Sequence, residues 1–444
     1  MFKKLTASNH NIMCLVGNGF DIGALEWLNT ISSDEIAKSG LGKETGTSYP
    51  DFYNYIIDSD HPERKEKFRD NRVFKQIELD FQEHEKNKNS DDENIRNAKK
   101  NWADFESTVD KMLFGENPNK IMAYHESECK KIEEDLLQLQ REFSTFLNDL
   151  LPINKIVEFD KKVSEGKYAF RSLQSFLRDL SYKDASEKTD NIYFPKYVST
   201  GDKLNYLFVD FNYTMLLDSY INLDREQFTV KKFKKSPNNF DFMPNPKYAV
   251  KQCYEYEDGF LVQTQISTQV VHPHGIQSVP RSILFGTEKK GNNKSNNEQF
   301  TSDDRWRLIK SLWAQDKEKY FEDIQQTQLF ILFGMSISSV DGWWMTQIYR
   351  RLSNYYKDNW RKPELIIYNH YKSGRNSDDV RKAFRDACIY LDDYEKKDFL
   401  QKRVDDRIQV ITFGDDNRPN VFLGFPNKDP NKNSKAIAVF KAEK

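Results

Sequence analysis

The sequence predicts an α/β protein: a mainly parallel sheet assembled from distant pieces of chain and interrupted by a large helical insertion. Three observations predict it. Short apolar runs occur near the N-terminus and again after residue 200, with helical or loop segments between several of them, the alternation of a parallel sheet. From about residue 51 to 196 glycines are few, charges are many and apolar residues fall at helical spacing. Four of the runs end in a glycine or polar cluster, the place where parallel sheets bind ligands.

The first run, residues 12–16 (IMCLV), stops at Gly17-Asn18-Gly19 and reads as a buried strand entering a tight turn. In the insertion, Ile132, Leu136, Leu139, Phe143, Phe146 and Leu150 step by four and three, the stripe of one long amphipathic helix. Residues 83–100 are charged and Asn-rich, a solvated loop or helix end. Strands are expected at 204–210 (LNYLFVD), 268–272 (TQVVH), 282–285 (SILF), 328–333 (QLFILF), 364–368 (ELIIY) and 409–413 (QVITF), with helices at 305–325 and 378–391. Residues 222–264, rich in Pro, Asn and Lys, read as an extended excursion. The organisation is then a discontinuous Rossmann-like domain: residues 1–50 carry its first strand and glycine turn, 51–196 the helical insertion, and 197–444 the remainder.

Composition excludes several classes. The 444 residues carry 67 Lys+Arg against 69 Asp+Glu, a net charge of −2, which argues against a strongly basic nucleic-acid binder. Charged residues at 31 % are offset by 14 % aromatics, enough apolar material for a packed core rather than disorder. The longest apolar stretch, around 329–335, falls far short of the ~20 residues of a spanning helix, so no membrane partner is expected. The N-terminal stretch reads as a strand rather than a signal peptide, and the four scattered cysteines, without CxxC pairing, suit a reducing cytoplasm.

The strand ends carry the chemistry. They are Gly17-Asn18-Gly19-Phe20-Asp21, Phe211-Asn212-Tyr213-Thr214, Pro273-His274-Gly275, and Gly334-Met335-Ser336 with Asp341 shortly after. As parallel neighbours, these four clusters converge on one crevice. A strand–GxG–helix turn brings backbone N–H groups and a helix N-terminus to a phosphate, or serves only as a tight turn. Here the third glycine, Gly23, comes one position later than in the dinucleotide fingerprint. Asn212 reads either as a cap or as an amide that orients water or a ribose hydroxyl. His274, in a loop between Pro273 and Gly275, is a candidate proton acceptor. His272 makes an HxH pair with it that would suit a metal if both faced one side, but no third ligand has diagnostic spacing and no metal is expected. Ser336 lacks the GxSxG elbow of a nucleophile and reads as a phosphate donor or helix cap. Asp341 reads as a ribose ligand or as a cap for the helix after it.

Six segments in order, GNGFD (17–21), GTSYPDF (46–52), WADFE (102–106), FNYT (211–214), HPHG (272–275) and GMSISSVD (334–341), resemble the AbiH family of bacteriophage abortive-infection proteins. More distantly, the strand ends are similar to sirtuin-like NAD-binding folds. The resemblance implies that Gly17, Asn18, Gly19 and Asp21 line the pyrophosphate and ribose region. It implies that Asn212 stands beside the glycosidic bond, that His274 contacts ribose hydroxyls, and that Gly334, Ser336 and Asp341 close the adenosine side. Thr214 and Gly275 join this nucleotide-binding set. Trp102, Asp104 and Glu106 match the family's WxDFE element. The sequence departs from these patterns at residues 22–45, which are longer than usual, and at Met335, where a His is common in the family. Phe211 replaces the sirtuin Gln, and the sirtuin zinc cysteines are absent, which disfavours deacylation.

Three functions follow as expectations. The first is an anti-phage effector that binds NAD or a related nucleotide and hydrolyses its glycosidic bond with Asn212 and His274. The second is a non-catalytic nucleotide sensor or scaffold in a phage-defence complex. The third is a nucleic-acid-directed effector using KKFKK (231–235) and KKGNNK (289–294), stretches that otherwise read as solvated loops. The implied partners are the nucleotide, a phage-derived trigger or a second defence protein, and further copies of the chain.

Overall fold

The computed structural model describes residues 9–31, 46–87, 105–114, 126–166, 168–175, 179, 194, 203–222, 256–257, 260–261, 265–288, 308–353, 362–414 and 422–425. Six strands form one sheet: β1 (Asn9–Val16), β2 (Lys203–Asp210), β3 (Gln265–Val271), β4 (Leu329–Phe333), β5 (Glu364–His370) and β6 (Ile408–Phe413). Every neighbouring pair is parallel, and the spatial order is β3-β2-β1-β4-β5-β6. This is the doubly wound Rossmann order, and its direction reverses between β1 and β4, the switch point beside which such sheets bind ligands. A two-residue antiparallel pair, Tyr256–Glu257 with Phe260–Leu261, stands apart from the sheet.

Both faces of the sheet are covered, which is why its strands read as apolar runs rather than as alternating ones. Ile12, Cys14, Val16, Tyr206, Phe208, Ile331 and Phe333 share one core with Phe52, Phe143 and Phe146 of the helical insertion. Met13, Leu15, Leu207, Val209, Phe330 and Leu332 point the other way, onto Trp344, Ile348, Phe384 and Val404. The insertion supplies helices Tyr49–Ile56, Arg72–Asn87, Phe105–Phe114, Glu126–Leu150 and Ile153–Gly166, with shorter ones between. All six residues of the apolar stripe on Glu126–Leu150 are buried. Phe143 packs edge-on against Phe52 with centroids 5.0 Å apart. Ser48 starts helix Tyr49–Ile56 with a capping box closed by Asp51, so part of the GTSYPDF segment is helix-start chemistry.

Several expectations change. Residues 282–285 form no strand: Pro280–Ser282 is a single tight turn, and Leu284 N–H donates to the His274 carbonyl at 2.9 Å. A four-residue apolar run fits a buried loop as well as a strand. The helix expected at 305–325 is two, Lys310–Trp313 and Asp316–Gln325, broken at Gln315, whose φ of 56° is left-handed. The helix expected to end at 391 stops at Ala387. Residues 88–100, the lysine stretches 231–235 and 289–294, Trp102 and Asp104 lie outside the described residues, as does most of 222–264. Among the described residues no helix is long and apolar enough to cross a membrane.

Candidate functional site

The site begins where β1 and β4 end. Gly17 N–H donates to the Phe333 carbonyl at 2.9 Å and Gly19 N–H to the Gly334 carbonyl at 2.8 Å. A Cβ on Gly19 would lie 2.7 Å from Gly334 Cα, and one on Gly17 would lie 2.9 Å from the Gly334 carbonyl oxygen. Gly334 itself has a φ of +68°. The glycines therefore let two loops touch backbone to backbone at the switch point. They also spend two first-turn N–H groups on protein carbonyls, unlike the phosphate cradle read from the sequence. Helix Gly19–Ile31 starts here, and its positive end faces the crevice. The Asn18 side-chain oxygen accepts from the Thr47 hydroxyl at 2.6 Å, so its amide nitrogen is left as the donor.

The end of β2 adds the second wall. Asn212 is buried and donates from its amide to the Gly17 carbonyl at 3.2 Å, tying the β2 loop to the β1 loop. Thr214 is wholly buried and donates to Asp21 Oδ2 at 2.8 Å. Burial pushes the Asp21 carboxyl up to about 7, against the pull of the Thr214 hydrogen bond and of His272. Asp210, the last residue of β2, is raised in the same direction by burial and by Asp21.

His274 and Asp341 form the third wall. His274 is buried, edge-on to Phe211 with ring centroids 5.0 Å apart, and its Nε2 lies 3.9 Å from Asp341 Oδ1. Burial and the charge of Lys310 hold the imidazole well below its usual range, so it is neutral. Lys310 is a cavity-lining residue that sequence reasoning missed. It is 1 % exposed, and its Nζ sits 2.9 Å from Glu106 Oε1 and 3.6 Å from Asp341 Oδ1. Burial alone would lower its ammonium, but Glu106 and Asp341 together hold it above its ordinary value. Behind it, burial raises Glu288 to about 7 and Asp316 to about 8. Glu106, the last residue of the WADFE segment, supplies a carboxylate that pairs with Lys310.

One cavity of about 860 Å³ opens over these walls. Gly17, Asn18, Gly19, Asp21, Asn212, Thr214, His274, Gly334, Ser336 and Asp341 all line it, joined by Thr47, Glu106 and Lys310. Its volume suits a nucleotide-sized ligand. Ser336 is exposed at its rim. Gly275 stands outside the lining and serves a turn: its φ is +91°, and a Cβ there would lie 2.0 Å from the Ser282 carbonyl oxygen. The HxH pair diverges, because β3 ends at Val271 and the alternation stops with it. His272 turns to Asp218, with Nε2 3.0 Å from Oδ2, while His274 faces Asp341.

Sheet order and cleft define the chain as a doubly wound α/β protein with a crevice at its switch point. The family model for bacteriophage abortive infection AbiH matches residues 41–359, most of the chain, and the chain belongs to that family. No curated protein and no solved structure shows significant similarity to it.

Proposed function

We propose that the crevice binds a nucleotide, NAD in first place, and that this AbiH protein acts in abortive infection, in the cytoplasm, by hydrolysing the nucleotide's glycosidic bond. The observation that carries the reading is the meeting of Asn212, His274 and the Gly17–Gly19 turn on one cavity of about 860 Å³. In this reading the start of helix Gly19–Ile31, the Asn18 amide and Lys310 attract the pyrophosphate. Asn212 orients the attacking water. Cleavage of such a bond builds positive charge on the ribose. His274, neutral and buried, accepts a proton from a ribose hydroxyl, and Asp341 at 3.9 Å favours the imidazolium so formed. NAD is placed ahead of other nucleotides on the resemblance to sirtuin-like folds read from the sequence motifs alone.

Purified protein incubated with NAD, with and without a phage trigger, tests the reading. Nicotinamide release by the wild type and its loss in His274→Ala are expected. No loss of NAD under any trigger, together with full phage protection by His274→Ala, overturns it. A sensor that binds without turnover is the second reading, favoured by one observation: the Asn212 amide is already bonded to the Gly17 carbonyl. It predicts a thermal shift with NAD, ADP-ribose or ATP while the ligand is recovered unchanged.

A further inference from the structure

Beside the cavity, on its β2–β3 side, a second polar cluster plays no part in the proposed chemistry. His272 follows β3, Asp210 ends β2, and Asp218 lies in helix Leu216–Ile221. One ligand atom from each of the three lies within 4.8 Å of those of the other two. His272 Nε2 is 3.0 Å from Asp218 Oδ2, and Nδ1 is 3.3 Å from the Asn212 carbonyl oxygen and 3.9 Å from Asp210 Oδ2. Asp210 is wholly buried. Its Oδ1 accepts from the Asn212 N–H at 3.0 Å, but Oδ2, the oxygen on the His272 side, has no hydrogen-bond partner. An unsatisfied buried carboxylate oxygen is costly and calls for a partner. Asp21, also wholly buried, leaves its Oδ1 unpartnered too. Among the described residues, the ionic contacts of Asp210 and Asp218 are both to His272, so one imidazole faces two carboxylates.

We propose that Asp210, Asp218 and His272 bind a divalent metal ion, Mn²⁺ or Zn²⁺, that braces the 211–214 loop against β3. Mixed imidazole and carboxylate donors suit these ions better than all-oxygen cations. The Asp218 side chain is 41 % exposed, which gives an ion a route in from solvent. Spacing alone hid the set, because its carboxylates come from another strand end and from a helix 54 residues before His272. The proposal stands independently of the nucleotide reading, since none of the three side chains lines the cavity.

The test is calorimetric titration of the chelator-stripped full-length protein with Mn²⁺ and with Zn²⁺, with Mg²⁺ as the oxygen-preferring comparison. One ion per chain should bind, Mg²⁺ more weakly, and the bound ion should raise the melting temperature of the wild type. Asp218→Asn, at a half-exposed position that tolerates the change, and His272→Gln should each weaken binding by about tenfold or more. Absence of saturable binding by all three ions overturns the proposal. So does binding that is unchanged in both variants. The cluster is then a polar clamp in which His272 ties Asp218 to the Asn212 carbonyl.

Discussion

Replacing Lys310 by methionine tests the electrostatic design of the cleft. The change keeps an unbranched apolar stem one atom shorter and removes the ammonium group. Its Nζ is 2.9 Å from Glu106 Oε1 and 3.6 Å from Asp341 Oδ1. With an effective dielectric constant of ~20, each contact is a gross attraction of about 5 kcal/mol. Desolvation of all three charges offsets most of that, so the intact network is close to neutral for stability. The variant keeps the desolvation cost and loses the attraction. Breaking such a buried pair costs about 3–5 kcal/mol, the magnitude expected for Lys310→Met near neutral pH. Lys310 holds down the Asp341 carboxyl, which burial raises. Without it the folded-state carboxylates bind protons more tightly, and the deficit shrinks as pH falls. Denaturant midpoints followed by circular dichroism at about pH 7.5 and about pH 5 measure both effects. Glu106→Gln added to Lys310→Met should recover part of the loss, because an amide needs no counter-charge. A loss below about 1 kcal/mol, or one equal at both pH values, would refute the reasoning.

Gly19→Ala places a methyl 2.7 Å from Gly334 Cα, backbone against backbone, and should cost about 1–3 kcal/mol and deform the cavity; an unchanged melting temperature would contradict the close approach. Asp316→Asn should flatten the pH dependence of stability. Burial raises the Asp316 carboxyl to about 8, so its contribution is full below its unfolded value of about 4 and is lost as pH rises towards 8. The asparagine still accepts from Trp344 Nε1, which donates to Asp316 Oδ2 at 3.1 Å, so a slope identical to that of the wild type would count against a raised carboxyl. Ser336→Ala, at the exposed rim, should leave stability within about 0.5 kcal/mol while weakening nucleotide binding, as read by titration with NAD.

How far the sequence carried depends on where each residue finds its partners. The run at 12–16 was legible because burial on both faces makes a strand apolar throughout. Its extension through Asn9, His10 and Asn11 was not, since these polar residues are buried by remote partners. Asn11 donates to the Gln326 carbonyl and accepts from Asn205, hundreds of residues away. Three of the four strand-end clusters gave every cavity residue they promised. The fourth gave His274 but not Gly275, because a glycine between strand and turn looks the same whether it meets a ligand or a carbonyl. Lys310 was invisible: in RWRLIK it reads as a solvated helix face, and its partner Glu106 lies 204 residues earlier.

The departure of GNGFDIG from the dinucleotide fingerprint has a structural reason. In that fingerprint the early glycines clear space so that backbone N–H groups reach a pyrophosphate. Here the space is filled by the β4 loop, and the N–H groups of Gly17 and Gly19 are bonded to Phe333 and Gly334. The close approach that the early glycines allow is therefore made to the β4 loop, although the helix start still borders the cavity. Phosphate recognition, on the proposed reading, passes to groups the fingerprint lacks: the Asn18 amide set by Thr47, and the buried Lys310. On that reading, the transfer would account for a lysine kept at 1 % exposure between two carboxylates. A purely structural position would be filled at lower cost by an apolar side chain. On the proposed reading, an arriving phosphate would compete with Glu106 and Asp341 for this cation.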